Sequence, residues 1–141
     1  MNITATNTWH IPTTPDGDAF APMKDFFNDP LSGTPAELKA PTFITFPSEK
    51  EKGYAAAHPG KISCQMLIMA PYEWFEPLKD NSHAYLKVKK QWEDRALAIL
   101  FHYFPKVKGH VDMVDISTPV TIGRWLNAHR GILFVCLHYN V

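Results

Sequence analysis

The stretch Lys61–Leu78, KISCQMLIMAPYEWFEPL, decides the fold. Ile62, Cys64, Met66, Ile68 and Ala70 fall on one side against Ser63 and Gln65 on the other, and a two-residue period is what a half-buried strand requires. From Leu67 onward both sides are apolar, so the strand is expected to enter the sheet with one wet face and to finish covered on both. Pro71 stops the ladder by removing an N–H donor, and Tyr72, Trp74 and Phe75 then gather three rings beyond the strand end. Glu73 and Glu76 are interleaved with them. Such a corner reads as a hydrophobic lid on the sheet or as a wall for an apolar ligand.

Upstream, Pro41–Pro47 (PTFITFP) alternates Thr42, Ile44 and Phe46 against Phe43 and Thr45, a short strand bracketed by prolines. Residues 48–61 contain no helix long enough for a crossover and end in the His58-Pro59-Gly60 turn, so the strands at 42 and 62 are expected to be antiparallel neighbours. Residues 1–40 are punctuated by Pro12, Pro15, Pro22, Pro30, Pro35, Gly17 and Gly33 and read as a loop-rich docking segment. Within it Met23–Phe27 can form one helical turn, and Trp9, Phe20, Phe26 and Phe27 give it something to bury. The amino terminus has neither the basic nor the apolar region of a secretory signal, and the chain alone reads as soluble and intracellular.

Downstream, Tyr85, Val88, Trp92, Ala96, Ile99 and Tyr103 recur every three or four residues across Ala84–Phe104, while Lys87, Lys89, Lys90, Glu93, Asp94 and Arg95 take the other face. This predicts a long helix capped by Asn81 or Ser82 and ended by Pro105 and Gly109. His110–Ile116 follows as a strand near the sheet edge. Residues 41–117 thus form a β-β-α-β core, and 118–141 a polar turn and an apolar terminal strand, Ile132–Tyr139. The fold class is α+β, a mostly antiparallel sheet packed by one long helix.

Composition narrows the function. The 141 residues are 45% hydrophobic and 20% charged, with 14 basic and 14 acidic side chains, so no net field attracts nucleic acid, and no apolar run is long enough for a transmembrane segment. Cys64 and Cys136 are too few for a disulfide scaffold, and a reduced protein is expected. No two glycines lie two apart, which removes the dinucleotide fingerprint, and Gly60-Lys61 lacks the rest of a phosphate loop. The seven histidines share no metal-ligand spacing, and no G-x-S-x-G elbow is present. The chain therefore carries no metal site, no cofactor signature and no complete catalytic group.

Phe46-Pro47-Ser48, His58-Pro59-Gly60-Lys61, Ala70-Pro71-Tyr72-Glu73-Trp74-Phe75, Phe104-Pro105 with Gly109, Thr118-Pro119-Val120-Thr121 and Arg130-Gly131 occur in an order that resembles the retinol saturases. These all-trans-retinol 13,14-reductases are flavoproteins related to carotenoid isomerases and phytoene desaturases. The resemblance runs from Asn7-Thr8-Trp9 to Gly131. It implies a parent enzyme on the endoplasmic reticulum membrane that saturates one polyene double bond of a retinoid or carotenoid-like lipid with FAD and NAD(P). This stretch would belong to its substrate domain, a fragment or truncated product lacking the flavin-binding segments, so that neither FAD nor activity is expected of the chain alone. After Gly131 the chain departs from the family pattern with Ile132, Leu133 and Phe134.

By the resemblance, Arg130 and Gly131 run beside the flavin, and Thr118 and Thr121 lie in a polar turn approaching the substrate. Thr118 and Pro119 also read simply as a turn after a strand, and Arg130 as either an anion partner or a surface charge. Tyr72, Trp74 and Phe75 suit a polyene wall, because flat rings match a flat apolar ligand. Two non-enzymatic readings stand beside the reductase: a small lipid-binding module, and an interaction domain that self-associates through exposed strand edges.

Overall fold

The computed structural model describes residues 3–34, 37, 39–131 and 134–140. Five strands form one sheet in the order β1 (Thr8–His10), β2 (Thr42–Thr45), β3 (Ser63–Met69), β5 (Phe134–Asn140) and β4 (Met113–Ser117), every neighbouring pair antiparallel. The helices are α1 (Phe20–Asn28), α2 (Tyr54–Ala57), α3 (Ser82–Tyr103) and α4 (Pro119–Leu126). The α+β class and the antiparallel pairing of β2 with β3 are as expected.

One face of the sheet makes the core. Cys64, Met66, Ile68 and Ala70 from β3 and its end, Ile44 from β2 and Ile116 from β4 are buried together with Trp92, Ala96, Ile99 and Leu100 of α3. Asn81 caps α3, its Oδ1 accepting from Ala84 N at 3.1 Å. The buried stripe ends on Leu100, and Tyr103 is 39% exposed. Arg95, expected on the wet face, is half-buried, and burial lowers its pKa from the ordinary value.

Several expectations are corrected. The loop-rich docking segment also holds an unexpected edge strand: Thr8, Trp9 and His10 pair with Ile44, Phe43 and Thr42, too short a run to show a period. The single turn at Met23–Phe27 is a nine-residue helix, since Pro22 sits in its first turn, where the missing N–H would have had no helical partner. The strand expected at His110 begins at Met113, after the left-handed Gly109 (φ 85°) and the Lys61–Asp112 ion pair. The second face of β3 is not closed, for Leu67 and Met69 stay half-buried. Of the terminal run, Ile132 and Leu133 lie outside the described residues, while Phe134–Asn140 is a strand that pairs with both β3 and β4. The register sets Cys64 opposite Tyr139 and Cys136 opposite Leu67, so the two cysteines lie on neighbouring strands but are not paired across them. Burial pushes the Cys64 thiol up to about 12, which keeps it protonated and unreactive.

Removing the Trp92 side chain in Trp92→Ala deletes the largest fully buried group, at a cost of about 3 to 5 kcal/mol. Lys87→Ala, on the exposed face, should change stability by less than about 0.5 kcal/mol, and denaturant midpoints measure both. The Tyr139 hydroxyl is buried without a hydrogen-bond partner among the described residues, and burial raises its pKa. Tyr139→Phe should therefore leave stability unchanged or raise it by about 1 kcal/mol. A drop in its denaturant midpoint would show that the hydroxyl is bonded.

Candidate functional site

The rings at the end of β3 separate. Phe75 is fully buried against Tyr85 and Trp92, with ring centroids 6.2 and 6.1 Å away. Trp74 is half-buried and donates its indole N–H to the Pro30 carbonyl at 3.2 Å, pinning the docking segment. Tyr72 lies under the Arg130 guanidinium, 5.8 Å from ring centroid to Cζ, and Arg130 also pairs with Glu73. Arg130 has a left-handed backbone, φ 50°, and lies with Gly131 in a 3₁₀ turn (His129–Gly131).

The polar turn at Thr118 is the start of a helix. Thr118 caps α4, its Oγ1 accepting from Thr121 N at 3.2 Å, and Pro119 takes the first helical position. Thr followed by Pro was the available sequence signal for this helix. Tyr85 Oη on α3 meets Thr118 Oγ1 at 2.5 Å and Thr121 Oγ1 at 3.2 Å, and the two threonine hydroxyls are 3.2 Å apart. Thr118 is fully buried, so this triad fastens α4 to α3.

The sheet face turned away from α3 presents what the sequence reading missed. Trp9 pairs with Phe43, Phe43 with Leu67, and Leu67 with Cys136, so these positions form one row across β1, β2, β3 and β5. Trp9 is 61% exposed and its ring centroid lies 4.9 Å from that of Phe43; Phe43 and Leu67 are half-buried and outside the core cluster. Trp9 to Leu67 spans two strand spacings, about 10 Å. Beside the row on the same face, Thr45 Oγ1 donates to Asn7 Oδ1 at 2.9 Å and accepts from Lys50 Nζ at 2.7 Å, a polar rim to an apolar strip. Alternation alone reveals that Phe43 and Leu67 oppose Ile44 and Met66; their alignment with Trp9 depends on register.

The residues present do not fit a flavin dinucleotide. β3 leaves through Ala70-Pro71-Tyr72 and β4 through Thr118-Pro119, so neither strand-to-helix turn has the glycines that let a backbone approach a pyrophosphate. Among the described residues, no group of three or more His, Cys, Asp or Glu side chains could hold a metal ion. No helix among them is long and apolar enough to cross a membrane.

Tyr85→Phe removes the hydroxyl that joins α3 to α4 and should cost about 0.5 to 1.5 kcal/mol; Thr118→Ala, which also loses the cap, should cost more. Both should speed amide exchange in residues 121–126, and unchanged exchange in that helix would contradict the fastening role.

The chain is similar to the all-trans-retinol 13,14-reductase of Danio rerio, 31% identical over 101 residues that cover 68% of this chain and 17% of the relative. It matches that of Macaca fascicularis at 33% over 101 residues, 68% of this chain and 17% of the relative, and that of Rattus norvegicus at 25% over 128 residues, 87% and 21%. The chain spans about a fifth of the length of these curated relatives. No protein-family model and no solved structure matches it. The identities establish a distant family-level relationship to the all-trans-retinol 13,14-reductases.

Proposed function

We propose that this chain is the substrate-binding part of an oxidoreductase that saturates a polyene lipid of the retinoid kind, and that the outer row Trp9, Phe43 and Leu67 is where the polyene lies. The observation that carries this reading is the row itself, an apolar strip of about 10 Å with polar groups at one side. A polyene alcohol has the same division, an extended apolar body and one hydroxyl, which suits the Asn7, Thr45 and Lys50 rim. The relatives named for retinol reduction support the substrate class.

In this reading FAD and NAD(P) belong to the complete protein and are held by segments other than these residues. Hydride chemistry would come from the flavin. Arg130 and Gly131 would border it, with Glu73 and Tyr72 holding the Arg130 guanidinium in place. Tyr72 and Trp74 retain partly exposed edges and could extend the lipid wall, whereas Thr118 and Thr121 would act by fixing α4. Association with the endoplasmic reticulum membrane is part of the same proposal for the complete protein.

Titrating the purified chain with all-trans-retinol, read by the rise in retinol fluorescence, tests the row. Saturable binding is expected, and Leu67→Lys should weaken it at least tenfold, by roughly 1.4 kcal/mol or more. Lys87→Ala, on the exposed side of α3, should leave it within about twofold. Equal affinity for the Leu67→Lys and unaltered chains would remove the row from the lipid site.

A further inference from the structure

A separate cleft, independent of the reductase reading, opens where the carboxyl end of β1 meets the last turns of α3. It has a volume of about 430 Å³, and His10, Lys39, Arg95, His102 and Tyr103 converge on it from β1, the segment before β2, and α3. His10 Nδ1 lies 3.1 Å from Tyr103 Oη, and the Tyr103 ring stands edge-on to both histidines, centroids 5.8 Å from His10 and 4.9 Å from His102. Among the described residues Glu37 is the one acid on its wall, and its Oε2 is turned into the neighbouring turn, accepting from Thr34 N at 2.9 Å and Thr34 Oγ1 at 2.8 Å. We propose that this cleft binds an organic phosphate.

The donors match that chemistry. A lysine ammonium from the segment before β2, two imidazoles and a phenol from β1 and α3, with the Arg95 charge in the wall behind them, suit several oxygens of a multiply charged anion. The volume lies within the range of small-molecule sites, about 300 to 1,000 Å³, beyond what an inorganic ion fills, and Ile11 and Pro12 offer apolar wall to the organic part. The field there is already positive: burial, then the charges of Arg95 and His102, hold the His10 imidazole below its ordinary value. The charged and titratable groups lining the cleft around His10 are Arg95, His102 and Tyr103 from α3, and Lys39 and Glu37 from the segment before β2. A bound anion reverses the balance and favours protonated His10, so by linkage binding should tighten as pH falls from 7.5 to about 6.

Inorganic pyrophosphate is the probe, followed by the ring proton resonances of the histidines. His10 and His102 should shift saturably, with binding about threefold or more tighter at the lower pH, and Lys39→Ala should weaken it about fivefold. Lys39 and His102 are exposed, so Lys39→Ala and His102→Ala should fold. Displacement of pyrophosphate by ADP would assign a nucleotide phosphate, and displacement by vesicles containing phosphatidate a lipid headgroup. Resonances that do not move, affinity unchanged in both variants, or failure of both competitors to displace the ion would overturn the proposal.

Discussion

Burial of Trp92 against the inner sheet face is the contact on which the rest of the molecule depends. Trp92 is fully buried, with Phe75 at 6.1 Å, and lies in one cluster with Ile44, Met66 and Ile68. One helix thereby covers strands from distant parts of the chain. An antiparallel sheet with a single covered face is a stable layer only if something equally broad lies over it, and α3, 22 residues long, is the element of that reach. Once α3 is placed, Tyr85 on its first turns meets Thr118 and positions α4, and Tyr103 on its last turn meets His10 and holds β1.

The consequence for function is that the two sheet faces are chemically unlike. The inner face is closed. The outer face carries Trp9, Phe43 and Leu67 in register with nothing from the core cluster packed on them, and a polar group of Asn7, Thr45 and Lys50 at its side. An apolar strip left open on a sheet face is the expected property of a surface that meets a ligand or another polypeptide segment. The corner at Tyr72, Glu73 and Arg130 is different in kind, a charged clasp that fixes the turn leading into β5.

The sequence by itself determined the elements whose signal is local. The alternation of Cys64, Met66 and Ile68 marks β3, the bracketing prolines mark β2, and the recurrence of Val88, Trp92, Ala96 and Ile99 marks α3 and its inward face. The relation to the retinol reductases was also legible, through ordered landmarks rather than any cofactor motif. What only the tertiary structure decided is whatever rests on register and on contacts far apart in sequence. β1 is three residues long, too short for periodicity, and exists because β2 offers it an edge. Phe134–Asn140 reads as a generic apolar run, and its place between β3 and β4 follows from pairing on both sides. The three rings after β3 are adjacent in sequence, yet a 3₁₀ backbone turns successive side chains apart, so Phe75 enters the core while Tyr72 meets Arg130 and Trp74 meets Pro30. Trp9 and Leu67 are 58 positions apart in the sequence and share one row because strand pairing is a non-local choice, settled by which face must be buried.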